Sequence, residues 1–257
     1  MPDLDSVMAN VVEANKIVAE IGLADGPTIE RGHVSFRIPD EPDKFLIKGL
    51  GPALSLLKTD DLVICNMDGF KISGRPEMNL PNEVKMHACI MRDHPEVNSV
   101  VHVHPRFTVL MSVLQANIVP MCIEGMQMFN GPLPVFPHPR LILGDEDGTE
   151  VARLIGDREA VLLQGHGAAT VGADMEDSVM AMLNLEEQAK MNWYAYCAAG
   201  PDHASISREQ AMDFGANMRT LGDQPHLKPE VAPTSRKPSG VWRHYSKLVS
   251  APDYPPA

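Results

Sequence analysis

Basic residues are scarce in this 257-residue chain: 22 Lys+Arg stand against 34 Asp+Glu, a formal net charge of −12. Nucleic-acid binding wants a basic footprint and an anionic membrane surface attracts one, so the acid excess argues against both partners. No apolar run reaches the roughly 18 residues that a membrane span needs. Cysteines are few and scattered (Cys65, Cys89, Cys122 and Cys197), with no CxxC pair. The first residues carry neither a basic n-region nor an apolar h-region, so the expectation is a cytoplasmic protein with reduced thiols. A dinucleotide fingerprint is missing as well, because Gly49-Leu50-Gly51 lacks a third glycine and a following helix.

The 44% hydrophobic and 22% charged composition is that of an ordinary globular protein, long enough for a substantial core. Sixteen methionines against 5% aromatics read as core filler. Helical spacing over 5–22 is followed by alternating strand-like residues at His33–Ile38 and short apolar runs at Phe45–Ile47 and Leu62–Cys65. A helix is expected from Asn82 to Arg92, a β-branched strand over Val97–His104 and a short helix over 106–116. Residues 119–139 read as irregular strands and loops. A helix at Thr149–Ile155, a buried strand at Ala160–Leu163 and a long helix from Asp174 to Ala198 follow. Alternating helices and strands indicate an α/β fold. The expected organisation is one domain over 1–223 and a Pro-rich extension over 224–257.

Ten histidines are the main chemical signal. His102 and His104 sit at i and i+2 in a strand, so both imidazoles project from one face. Such a pair grips a divalent ion or is simply hydrogen-bonded at a surface. His166, flanked by Gly165 and Gly167 after a buried strand, is either a plain turn residue or a third nitrogen; three ligands with an open position describe a catalytic metal site. Glu83, at the start of the helix before the HxH strand, is either a dipole-favoured N-terminal charge or a group that coordinates metal or moves protons. His87 lies one turn later on the same helix face and reads as a packed residue or a support for Glu83.

The run Pro81-Asn82-Glu83, His87, then His94-Pro95-Glu96-Val97-Asn98-Ser99-Val100-Val101-His102-Val103-His104-Pro105 resembles the core signature of the class II aldolase/adducin family. Leu162-Leu163-Gln164-Gly165-His166-Gly167, Gly172 and Leu185-Glu186-Glu187-Gln188-Ala189 are similar to its second block. Gly32-His33-Val34-Ser35-Phe36-Arg37 and Met67-Asp68-Gly69 fall where the family has a glycine-led strand and an Asp-Gly turn. The resemblance implies a three-layer α/β/α sandwich with a mainly antiparallel central sheet, and a homotetramer with active sites between subunits. It places His102, His104 and His166 as ligands of one divalent metal per chain, commonly zinc, with manganese or cobalt in some members, and Glu83 as acid/base. The family's metal stabilises an enolate-like charge while a carbon–carbon bond breaks.

Three departures bear on the substrate. Sugar-phosphate aldolases of the family hold phosphate with an Asn, a small hydroxyl-glycine pair and a Ser-Ser; here His33, Lys48-Gly49 and Pro81-Asn82 stand in those places. An ammonium and an imidazole suit a carboxylate or a phenolic oxygen, although Lys48 equally holds a phosphate. The Gly-His-Val-Ser form of the first block and the stretch from His104-Pro105 to Val119-Pro120-Met121 resemble members that decarboxylate hydroxylated aromatic or pyridine dicarboxylates. The reading is therefore a metal-dependent carbon–carbon lyase acting on a small carboxylated substrate, favoured as a decarboxylase. Glu83 or His33 would be its proton donor, and Lys48, Gly49 and Asn82 would bind substrate. Family members also recruit a C-terminal or inter-subunit tyrosine, a place offered to Tyr245. Retro-aldol cleavage of a non-phosphorylated hydroxy acid or sugar is the alternative. An adducin-like binding module is a minor one, disfavoured because all three metal ligands are present.

Overall fold

The computed structural model describes residues 3–128, 131–220, 223–224, 226 and 238–255. Its centre is an eight-stranded sheet: β1 (His33–Ile38), β2 (Glu41–Lys48), β3 (Leu62–Asn66), β4 (Lys71–Ser73), β5 (Ser99–Val103), β6 (Val135–Phe136), β7 (Ala160–Leu163) and β8 (Gly167–Gly172). The spatial order is β4-β3-β2-β1-β5-β8-β7-β6. Every pairing is antiparallel except the parallel pair at the β6–β7 edge. Helices α1 (Leu4–Glu20), α3 (Arg106–Val113), α6 (Met175–Ala199) and α8 (Gly240–Val249) lie on one side, and α2 (Val84–Asp93) and α5 (Asp145–Ile155) on the other. Two short helices, α4 (Ile123–Met128) and α7 (Arg208–Arg219), complete the fold.

Strand parity accounts for the two cores. Val34, Val101, Val103, Leu162 and Ala168 join the apolar faces of α1 and α6, whereas Phe45, Ile47, Val100, Val161, Leu163 and Ala169 pack under α2 and α5. A sheet buried on both faces makes three layers. His102 shares the parity of Val100 and so lies on the α2/α5 side, at the level where α2 begins.

The structure adds elements that the sequence pattern left out. Residues 119–139, expected to be irregular strands and loops, contain the unexpected helix α4 and the edge strand β6, whose backbone pairs with Leu162 and Leu163. β8 is built from Gly-Ala-Ala-Thr-Val-Gly, where small residues hide the alternation, yet it is paired on both sides. α7 starts at a capping box in which Ser207 and Gln210 exchange side-chain bonds. α2 begins at Val84 rather than Asn82. Glu83 is its N-cap residue, but the carboxylate makes no capping bond and is turned elsewhere. Among the described residues no helix is long and apolar enough to cross a membrane.

Candidate metal centre and active site

Antiparallel pairing gathers the chemistry-bearing residues at one end of the sheet. β2 ends at Lys48, β1 begins at His33, β5 runs out at Val103 just before His104, and the β7–β8 turn carries His166. His33 is directly opposite His102, and Val103 opposite Ala168. Two glycines allow this approach. A Cβ on Gly32, whose φ is +93°, would lie 2.7 Å from the His102 carbonyl oxygen. One on Gly167 would lie 2.3 Å from the Val103 carbonyl oxygen. Any larger residue would push the flanking strands away from β5.

Glu83, His102, His104 and His166 bring one donor atom each to within 4.8 Å of one another. Glu83 Oε2 lies 3.0 Å from His102 Nε2 and 3.3 Å from His166 Nε2. His102 Nε2 and His104 Nε2 are 3.2 Å apart. Glu83 Oε1 accepts the Ile142 backbone N–H at 3.0 Å, which fixes the rotation of the carboxylate. His102 Nδ1 faces the Ala168 carbonyl at 2.9 Å. A carbonyl only accepts, so Nδ1 carries the hydrogen and Nε2 of the neutral ring presents a lone pair.

That lone pair looks straight at a carboxylate oxygen, and two acceptors at 3.0 Å repel unless a positive centre lies among them. His166 is similar: its two ring nitrogens are buried, Nδ1 has no hydrogen-bond partner among the described residues, and Nε2 has only the 3.3 Å contact with Glu83. Three imidazole nitrogens and one carboxylate oxygen are a donor set that fits a divalent ion of the zinc, manganese or cobalt type. Without an ion among them, a proton on His102 Nε2 relieves the same repulsion. Burial opposes ionisation of both Glu83 and His102, yet each overcomes it through the other. Glu83 is held well below the usual carboxylate range by His102 and His166, and His102 is raised by Glu83 and the Ala168 carbonyl. Burial, helped by His102 and His166, brings His104 down to about 3, so it is a neutral ring with a lone pair free to ligate.

A cavity of about 700 Å³ opens onto this cluster, lined by His33, Lys48, Asn82, Glu83, His104 and His166 among others. Lys48 is buried, and its ammonium reaches only the Gly49 carbonyl, at 3.2 Å. Burial draws its pKa down to about 8, against the pull of Glu30 and Asp61. His33 turns Nδ1 to His87 Nε2 at 2.8 Å, and His87 Nδ1 meets Ser35 Oγ at 2.7 Å. Burial, then the neighbouring imidazoles and Lys48, push His33 well below the usual histidine range, and burial with His102 brings His87 to about 3.

Of the residues expected to bind substrate, Lys48 and Asn82 line the cavity, and Gly49 and Tyr245 do not. The Gly49 N–H already donates to the Asp61 carbonyl at 2.7 Å and its carbonyl takes Lys48, so no backbone group is left for an anion. Tyr245 lies on α8 and packs against the core beneath α1 and α6, away from its own chain's cavity. Sequence reasoning passed over Ser35, although His33 and Ser35 alternate onto one face of β1, and over Arg31, which lines the cavity rim.

Residues 9–193 match the Class II Aldolase and Adducin N-terminal domain family. The chain is 29% identical over 232 residues to a 3,4-dihydroxyphthalate decarboxylase of Rhodococcus jostii (strain RHA1), covering 85% of this chain and 93% of that one. It is 30% identical over 210 residues to the enzyme of the same name from Terrabacter sp. (strain DBF63), covering 77% and 84%. The fold superposes on L-fuculose 1-phosphate aldolase from Glaciozyma antarctica PI12 with a TM-score of 0.76 at 18% identity, over 97% of this chain and 92% of that one. The chain therefore belongs to the class II aldolase and adducin family, and it is a carbon–carbon lyase of that family.

Proposed function

We propose that this lyase is a divalent-metal-dependent decarboxylase of a hydroxylated aromatic or heteroaromatic carboxylate. The observation that carries the reading is the cluster of Glu83, His102, His104 and His166, three of which line the same cavity as the buried ammonium of Lys48. The decarboxylase relatives support the substrate class. A divalent ion held by the three histidines supplies Lewis-acid polarisation of substrate oxygens.

The remaining roles belong to the chain itself. Lys48, which makes no salt bridge among the described residues, pairs with the substrate's anionic group, and Asn82 at the mouth orients the ring. When CO2 departs, the electron pair of the broken bond stays on the ring carbon and a proton must replace the carboxyl group. Glu83 Oε2 or His33 Nε2 passes it on after taking up a proton from solvent. Glu83 is anchored through Oε1, and His33 has its other nitrogen committed to His87. The working assembly proposed is a cytoplasmic homotetramer in which the C-terminal extension, with Tyr245, borders a neighbour's site.

A panel of hydroxylated aromatic carboxylates, incubated with protein loaded with zinc or manganese, tests this directly. CO2 release without an aldehyde product is expected. Retro-aldol cleavage is the second reading, favoured by the shared fold of the fuculose-phosphate aldolase. An aldehyde formed from a hydroxy acid or sugar acid, with no CO2 from any aromatic carboxylate, would establish it in place of decarboxylation.

A further inference from the structure

We infer that His87 and Ser35 are positioning residues: through a buried hydrogen-bond chain they fix His33 as the tautomer that presents an Nε2–H donor to the cavity. His33, Ser35 and His87 are all buried. Ser35 and His33 lie on one face of β1 and His87 faces them from α2, so the chain is built across two layers of the fold. Its contacts are His33 Nδ1 to His87 Nε2 at 2.8 Å and His87 Nδ1 to Ser35 Oγ at 2.7 Å. Each link holds one hydrogen, so the direction of one link sets the direction of the next.

Two directions exist for neutral rings. In one, the Ser35 hydroxyl donates to His87 Nδ1, His87 Nε2–H donates to His33 Nδ1, and the His33 hydrogen is left on Nε2. In the other, His87 Nδ1–H donates to Ser35 and His33 Nδ1–H donates to His87, so His33 shows a bare lone pair to the cavity. The second direction forces the Ser35 hydroxyl onto its one remaining acceptor, the Val100 carbonyl, which is 3.4 Å away. The 2.7 Å link accommodates the Ser35 hydroxyl as donor. The long Val100 contact therefore selects the first direction, in which the hydroxyl keeps its short partner. A second proton on His87 would not alter the result, because His87 Nε2–H would still donate to His33 Nδ1.

The consequence concerns the chemistry of the site. A neutral imidazole whose N–H is aimed at the substrate donates a hydrogen bond to a developing oxyanion, and it adds no charge to the metal cluster. Without the relay His33 would be free to turn the lone pair inward, against an anionic substrate. The functional part of this inference rests on the decarboxylase reading; the tautomer does not.

The test is a long-range ¹H–¹⁵N spectrum of zinc-loaded, ¹⁵N-histidine-labelled protein, with the His33 signals assigned by their loss in His33→Gln. Wild type is expected to show His33 protonated at Nε2 and unprotonated at Nδ1. In His87→Met, which offers no donor, that tautomer should be lost and kcat should fall about 10- to 100-fold with KM changed less than about 3-fold. In His87→Gln the amide N–H replaces His87 Nε2–H, and both tautomer and kcat should be largely rescued, with metal content equal in all three proteins. A wild-type His33 protonated at Nδ1, or equal spectra and kcat for His87→Met and His87→Gln, would overturn the inference. If His87→Met does not fold, the wild-type spectrum decides alone. Should no substrate be decarboxylated, the spectra still decide the tautomer, so failure of the decarboxylase reading is told apart from failure of this one.

Discussion

Buried polar groups occur in two regions of this molecule, and they are treated in opposite ways. Against α1 and α6 each one is saturated. Asn192 exchanges bonds with both backbone groups of Val119 and donates to the Gln188 carbonyl. Asn15 does the same with Val34 and Val11. Glu186 caps the start of α3 with bonds of 2.8–2.9 Å from Phe107 and Thr108. At the site end of β1, β2, β5 and β8 the His33–His87–Ser35 chain is bonded, but three groups beside it are left short. His166 Nδ1 has no hydrogen-bond partner among the described residues, His102 Nε2 faces a carboxylate, and Lys48 has one long bond to its neighbour's carbonyl. Saturated groups staple loops and helix ends; unsatisfied ones are held ready for something that arrives from outside.

Removing groups from the two regions should therefore break different properties. The largest effect is expected from His102→Ala combined with His104→Ala. Bound divalent ion should fall from about one per chain to near zero and turnover by at least about 1,000-fold, read by elemental analysis and CO2 release. Unchanged metal content would show that these lone pairs are not ligands. Glu83→Gln comes next, with turnover down about 100- to 1,000-fold; near-full activity would take Glu83 out of proton transfer. Asn192→Ala tests the other region. Chemical denaturation should show a loss of about 1–3 kcal/mol, while metal content stays at the wild-type level. A variant of Asn192 that lost metal but kept its stability would erase the distinction between the regions.

The sequence carries one region far more legibly than the other. His102 and His104 could be read because strand parity is a local rule and β5 obeys it, and His166 because the glycines around it mark a turn. Lys48 was readable as a site residue only through the family resemblance, since its place at a strand end reads equally as a solvated lysine. Gly49, one residue on, has its N–H taken by Asp61, a contact made across 12 positions of chain that no local pattern shows. β8 went unseen because its side chains are too small to show alternation, although the whole site depends on Gly167 lying against Val103. The role of His87 is non-local in the same way: helical spacing put it below Glu83, but its partners His33 and Ser35 come from another layer. Local periodicity finds ligands on a strand; it cannot find groups whose meaning lies in what a different element brings to them.

Lys48→Met is the smallest and most discriminating change, because a charge kept without a partner should cost stability where a saturated one does not. Burial brings the Lys48 pKa to about 8 in the folded chain, against about 10.4 for an unfolded lysine. Between those values the unfolded chain binds the extra proton and the folded chain does not, so wild-type stability should rise as pH climbs from about 8 to about 10.4. Lys48→Met should abolish that rise and, near pH 7, stabilise the fold by about 1–2 kcal/mol by removing an unpaired buried ammonium. The same substitution should raise KM for a carboxylated substrate about 10-fold or more, since the anion loses its partner. In the wild type KM should climb as pH passes about 8 and Lys48 discharges. Opposite signs for stability and affinity are the signature of a group retained for its ligand. Were Lys48→Met to lose both, Lys48 would belong with Asn192 and Glu186 as part of the scaffold.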